Sequence, residues 1–297
     1  MQTRTLEQAY RHCQALSGSH YENFPVASIL LPRNLRKPVS TIYAFARMAD
    51  DLADEGNLAP AERTDLLNKT EKNLLSAADG KPVNDPVFIA LSDVLKSHPG
   101  LLKHMLDLLV AFKMDVHKKR YADFSEVMEY CRYSANPVGR MLLLLYQADS
   151  EENIEYSDSV CSALQIINFL QDIHADYTER DRIYLPQDEM KQFEISEEDL
   201  ASKAPLPHAS NFIDLQIQRV FSMLQHGSQL GIHLPGRIGM ELRMITLGGW
   251  RILDKVHKQR ESFHMSPRLG KPDWLWIISR GLTRHFRLFS RSFRPLT

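Results

Sequence analysis

Apolar residues recur at intervals of three and four along almost the whole chain, whereas period-two runs and Asn-Gly hairpin signals are missing, so the pattern predicts an all-α protein. Punctuation at Pro32, Pro38, Gly56, Gly80–Pro82, Pro99–Gly100, Pro186, Pro205–Pro207, Pro235–Gly236 and Pro267–Pro272 divides it into helices with short connections. None of these breaks is long enough for a domain linker, and there is no internal repeat or low-complexity tract. One helical domain over residues 1–297 is therefore expected.

Bulk properties narrow the picture. A hydrophobic fraction of 43% can build a sizeable core, and a net charge of -1 leaves no excess charge for holding nucleic acid. Cys13, Cys131 and Cys161 are odd in number and lack metal-ligand spacing, which points to reduced thiols in a cytoplasm. The N-terminal stretch MQTRTLEQAYRHCQAL has no uninterrupted apolar core of a signal peptide, and the longest apolar run, around Met141–Tyr146, is too short to cross a bilayer. A cytoplasmic protein, soluble or peripheral, is expected.

Between Pro38 and Gly56 the sequence VSTIYAFARMADDLADE predicts a helix with Pro in its first turn and Gly past its end. Asp50 and Asp54 are four apart and share a face, so their oxygens can converge on hard cations, and Arg47 one turn earlier can hold a phosphate oxygen beside them. A solvated acidic helix end is the competing reading. Against it stands position, because acids at a helix C-terminus oppose the macrodipole.

The stretch VCSALQIINFLQDIHADYTERDRIYLP places Gln165, Asn168, Asp172 and Asp176 three, four and four apart, a single polar stripe on a helix otherwise apolar over much of its circumference. Carboxylates on a mostly buried helix need cationic partners. An interior salt-bridge network would serve, but a second aspartate pair elsewhere favours metal ions. Two such helices facing each other would cage Mg²⁺, which would grip a diphosphate leaving group at the mouth of an apolar cavity.

These segments resemble the squalene and phytoene synthase family. YAFARMADDLADE resembles its first aspartate-rich motif and NFLQDIHADYTERDRIYLP its second, YCRYSANPVGR its tyrosine and small-residue segment, and HYENFPVASILLP its N-terminal stretch. The resemblance implies a single-domain isoprenoid synthase-type helical bundle around a central apolar cavity. Departures at Gln171-Asp172-Ile-His-Ala-Asp176 and Ala135-Asn136-Pro137-Val138-Gly139 make the chain similar to the bacterial hydroxysqualene synthases of hopanoid pathways. It implies a carbon–oxygen lyase that ionises presqualene diphosphate and quenches the rearranged cation with water. The alternatives are a condensing synthase forming presqualene diphosphate, squalene or phytoene, and a non-catalytic assembly or binding protein of the same fold.

By the same resemblance Asp50, Asp54, Asp172 and Asp176 bind Mg²⁺. Tyr43, Arg47, Gln165 and Asn168 match diphosphate or metal-site contacts, Arg182 and Tyr184 lie in a closing flap, and His20, Asn23 and Phe24 line the substrate. Gln171 stands where relatives carry an arginine. Tyr130 aligns near the reacting carbons, and Asn136 or Tyr130 is expected to position the quenching water. The plainer reading of Asn136 is a cap at the break before Pro137.

After Trp274, Trp276, Ile277 and Ile278, the segment 279–297 carries five arginines and no acid. Arg280, Arg284, Arg287, Arg291 and Arg294 alternate with Leu282, Phe286, Phe289 and Phe293 at helical spacing. Such a basic amphipathic segment suits an anionic membrane surface, and equally an ordinary packed terminal helix. No GxGxxG or P-loop is present, so a nicotinamide requirement is not indicated.

Overall fold

The computed structural model describes residues 2–19 and 31–282. In chain order the helices are α1 (Gln2–Ser19), α2 (Arg36–Asp54), α3 (Pro60–Ala78), α4 (Pro86–Ser97), α5 (Leu101–His117), α6 (Phe124–Ser134), α7 (Asn136–Leu145) and α8 (Glu151–Gln171). There follow α9 (Ile173–Arg180), α10 (Gln187–Gln192), α11 (Glu197–Ala201), α12 (Ala209–Gly227), α13 (Leu230–His233), α14 (Gly236–Lys258) and α15 (Lys271–Gly281). The fold is all-α, as the spacing predicts. The exception is a minimal parallel pair, β1 (Arg120–Tyr121) with β2 (Ile183–Pro186), in which Arg120 pairs with Ile183. Two residues of strand carry no periodicity, so the sequence could not announce it.

Contacts divide the described chain into two compact units. The first lies within Met1–Lys118 and Tyr133–Ser150, the second within Lys119–Arg132 and Glu151–Thr297. In the first, α2 packs on α1, α3, α4 and α5, and α5 on α7. Its core gathers Phe45, Leu67, Leu74, Leu91, Leu101 and Met105, all fully buried. Each such side chain is worth roughly 1.5–3 kcal/mol relative to exposure, which ties α2 firmly into its unit.

In the second unit α8 packs along α12 and α14. The approach of α12 is close because of Gly227, where a Cβ would stand 2.5 Å from Val160 Cγ2 and 2.7 Å from the Tyr156 carbonyl oxygen. Helix α14 also carries α15.

Candidate active site

Helix α2 presents two adjacent faces. Ile42, Phe45, Ala49 and Ala53 are buried, while Tyr43, Arg47, Asp50 and Asp54, spaced four, three and four apart, form a partly open stripe beside them. Arg47 is engaged within its own helix. Its Nη1 lies 3.3 Å from Asp50 Oδ2, and its Nη2 lies 2.7 Å from Asp51 Oδ1 and 2.8 Å from Glu55 Oε1.

Packing of α2 on α5 adds an acid the sequence reading passed over. Asp115 is only 6% exposed and its charge acts on Asp50. Removal from water first, then the charges of Asp54, Asp115 and Asp51, push the Asp50 carboxyl up to about 6, while Arg47 pulls the other way. The Asp50 side chain nevertheless keeps 41% of its surface open. An acid placed among Leu108, Leu109, Ala111 and Val116 was the available signal for Asp115.

The second cluster is more broken than the sequence suggests. Gln165, Asn168 and Asp172 do follow one another along the open side of α8, whose other faces bury Ile166, Ile167, Phe169 and Leu170. The helix stops at Gln171, however. Asp172 sits at φ -115°, ψ 20°, and Asp176 belongs to the separate short helix α9, so the stripe turns at Asp172 instead of running along one helix. The Asp176 N–H still donates to the Asp172 carbonyl at 2.8 Å, which keeps the bend tight.

The bend is held by the loop before α15. Ser266 Oγ donates to Asp172 Oδ1 at 2.7 Å, and Gln171 Nε2 donates to the Pro267 carbonyl at 2.7 Å. Gln171 is 3% exposed, so its side chain is used inside its own unit. Arg180 Nη1 lies 3.6 Å from Asp176 Oδ1.

The segment expected to be a flap is strand β2, pinned from several sides. The Arg182 N–H donates to the Asp176 carbonyl at 2.9 Å and the Ile183 N–H to the Lys119 carbonyl at 2.9 Å. Arg120 grips Glu197 at 2.8 and 2.7 Å and Asp181 Oδ1 at 2.8 Å. Tyr184 then joins Tyr121, Tyr130 and Phe169 in an aromatic cluster: its ring stacks on Phe169 with centroids 4.0 Å apart and lies 5.4 Å from Tyr130. Tyr130 is 5% exposed and touches Tyr121 edge-on at 5.6 Å. Tyr121 and Phe169 are further members that sequence reasoning did not single out, because both read as ordinary core residues.

Asn136 is buried at 7% exposure and opens α7. Ala135, not Asn136, occupies the N-cap, and no side chain caps this helix, so the capping reading of Asn136 is replaced by that of a buried amide in the first turn. His20, Asn23 and Phe24 lie outside the described residues, as does the sequence from Thr283 onward. Among the described residues no three or more His, Cys, Asp or Glu side chains gather as a self-sufficient metal cluster, and no helix is long and apolar enough to cross a membrane.

An all-helical chain with aspartate stripes on α2 and on α8–α9 is of the isoprenoid synthase class. The squalene/phytoene synthase family profile matches residues 18–274, and the chain belongs to that family. It is 35% identical over 250 residues to the hydroxysqualene synthase of Rhodopseudomonas palustris, covering 83% of this chain and 84% of that protein. The hydroxysqualene synthase of Zymomonas mobilis is 36% identical over 236 residues, covering 77% and 76%. The crystal structure of squalene synthase HpnC from Alicyclobacillus acidocaldarius superposes with a TM-score of 0.79 at 33% identity, covering 86% of this chain and 96% of that one.

Proposed function

We propose that this chain is a Mg²⁺-dependent hydroxysqualene synthase, a lyase that converts presqualene diphosphate and water to hydroxysqualene and diphosphate. The observation that carries the reading is the placing of Asp50 one turn before Asp54 on the same open stripe of α2, its carboxyl withdrawn from water and facing the charges of Asp54, Asp115 and Asp51, which Arg47 only partly offsets. Hard oxygen donors in pairs suit Mg²⁺, which takes one or two carboxylates and leaves its other positions to water and phosphate oxygens. Bound Mg²⁺ would neutralise the charge that builds on the departing diphosphate.

Asp50 and Asp54, and likewise Asp172 and Asp176, would hold the metal. Arg47, Tyr43, Gln165, Asn168 and Arg182 would bind and orient the diphosphate oxygens as the carbon–oxygen bond breaks and its electron pair leaves with the diphosphate. The aromatic faces of Tyr130, Tyr184 and Phe169 would favour the carbocation that remains. Tyr130 or Asn136 would hold a water whose oxygen bonds to the rearranged cation and whose proton leaves to solvent or diphosphate. His20, Asn23 and Phe24 would line the hydrocarbon chain. Gln171, buried and bonded to the Pro267 carbonyl, would be committed to the fold and not to the diphosphate.

A squalene-forming or other condensing reaction is the second reading, favoured by the name carried by the Alicyclobacillus structure. The two separate in one experiment. Purified enzyme with Mg²⁺ is given presqualene diphosphate, and separately farnesyl diphosphate, with and without NADPH. Hydroxysqualene from presqualene diphosphate without NADPH supports the proposal; squalene that requires NADPH, or product from farnesyl diphosphate alone, supports the second reading.

A further inference from the structure

The pair Asp50 and Asp54 is divided between the body of a helix and its end. Asp50 stands a full turn inside α2, whereas Asp54 is its last residue. The Glu55 N–H closes the final turn on the Asp51 carbonyl at 2.8 Å, and Gly56, at φ +75°, then turns the chain away. A helix end leaves its last carbonyls without intrahelical partners and frays. Here Asp50, Asp51, Asp54 and Glu55 also crowd the end at which the macrodipole is already negative. Two ligands of one ion must keep their spacing, so the second needs its turn fixed from outside α2.

Arg63, near the start of α3, supplies that support. Its Nη1 donates to the Leu52 and Glu55 carbonyls, each at 3.0 Å, its Nη2 to the Gly56 carbonyl at 2.7 Å and its Nε to the Leu58 carbonyl at 3.2 Å. Every one of these partners is a main-chain carbonyl. A single planar fork therefore spans the last turn of α2, the residue that ends it and the turn beyond, and it sets a positive charge at the negative end of the helix. Helix α3 packs on α2 and buries Leu67 and Leu74 completely, so the fork reaches back from a fixed support.

The grip extends to Arg47. Glu55, whose carbonyl Arg63 holds, has its carboxylate 2.8 Å from Arg47 Nη2, and Arg47 reaches Asp50 and Asp51 at 3.3 and 2.7 Å. Through the backbone, Arg63 stands behind both the aspartate pair and the arginine beside it.

We propose that Arg63 is a positioning residue for divalent-cation binding: it keeps the end of α2 wound, so that Asp54 stays one turn from Asp50. The inference rests on the metal reading of that pair. The test titrates the full chain with Mn²⁺, following the free ion by electron paramagnetic resonance, and measures amide hydrogen exchange at residues 52–58 without metal. Arg63→Ala is expected to weaken Mn²⁺ binding about tenfold to a hundredfold and to speed exchange at 52–58. Arg63→Lys, whose single ammonium cannot span the four carbonyls, is expected to fall between Arg63→Ala and wild type, and it keeps the measurement possible should Arg63→Ala unfold. In an Asp54→Asn background Arg63→Ala should cost no further affinity, because the ligand through which it acts is already gone. Tyr10→Phe, which loses a hydrogen bond of 2.6 Å to Asp93 elsewhere in the same unit, is the control for lost stability and should bind Mn²⁺ as wild type does. Wild-type affinity in Arg63→Ala, unchanged exchange at 52–58, or an undiminished further loss in the Asp54→Asn background would each overturn this proposal alone. Wild type that binds no Mn²⁺, or binds it as tightly after Asp50→Asn, would overturn the metal reading and this proposal with it.

Discussion

The ring of Tyr184 lies flat on that of Phe169, with centroids 4.0 Å apart and planes 5° from parallel. One residue belongs to strand β2, the other to α8 between Asn168 and Asp172. The stack therefore couples the segment after the second aspartate motif to the helix that carries it. Tyr184→Ala should lower stability by about 2 kcal/mol, from lost burial and lost stacking, whereas Tyr184→Phe keeps the ring and should fall within about 1 kcal/mol of wild type. Urea unfolding of the three proteins checks this, and equal losses for both variants would show that the hydroxyl, not the ring, holds β2.

If the aspartates hold Mg²⁺, Asp50→Asn and Asp172→Asn should each reduce turnover of presqualene diphosphate by about 10²–10³-fold. The stability of Asp50→Asn should not fall. Its charge is crowded by three other acids, so neutralising it at neutral pH should raise stability by something on the order of 1 kcal/mol once solvent screening at this half-exposed carboxylate is allowed for. A thermal melt beside the Mg²⁺ dependence of the rate separates the two effects.

Asp273 anchors α15 and sets an acid limit on that anchor. Burial raises its carboxyl, but Lys255, the Gly270 N–H and Arg251 outweigh it and hold the group at about 2. A carboxyl depressed in the fold contributes stability that is fully present above its ordinary value of about 3.9 and is lost as pH falls through about 2. Wild type should exceed Asp273→Asn by on the order of 2 kcal/mol at neutral pH, with the difference shrinking from about pH 4 downward. Trp276 stacks on Trp250 at 5.4 Å, so tryptophan fluorescence during urea unfolding reports on this contact.

Gly227→Ala should lower stability by about 1–3 kcal/mol, because the new methyl meets the Tyr156 carbonyl oxygen at 2.7 Å and α8 or α12 must shift. A variant as stable as wild type would mean that the helices separate freely at this crossing. Differential scanning calorimetry measures it directly.

The sequence carried the helices and much of the polar patterning, for a physical reason: periodicity is local. The stripe Tyr43, Arg47, Asp50 and Asp54 is visible because one helix positions all four, and α2 indeed runs from Arg36 to Asp54. Gln165, Asn168 and Asp172 were legible on the same ground. Their continuation to Asp176 was not, since a single residue out of helical geometry at Asp172 leaves the spacing of letters unchanged while it turns the chain.

Whatever depends on residues distant in sequence was decided only in three dimensions. Asp115 meets the field of Asp50 through the packing of α2 on α5, and Gln171 finds the Pro267 carbonyl 96 positions away. Which side of α15 is covered was likewise not legible in the sequence. Tertiary contacts show that the inner face is packed, through Asp273, Ile277 and Gly281, and that Leu275, Ile278 and Leu282 therefore face out. Spacing along a chain fixes which side chains share a helix face; only the neighbours that the fold brings against the helix determine which face is covered.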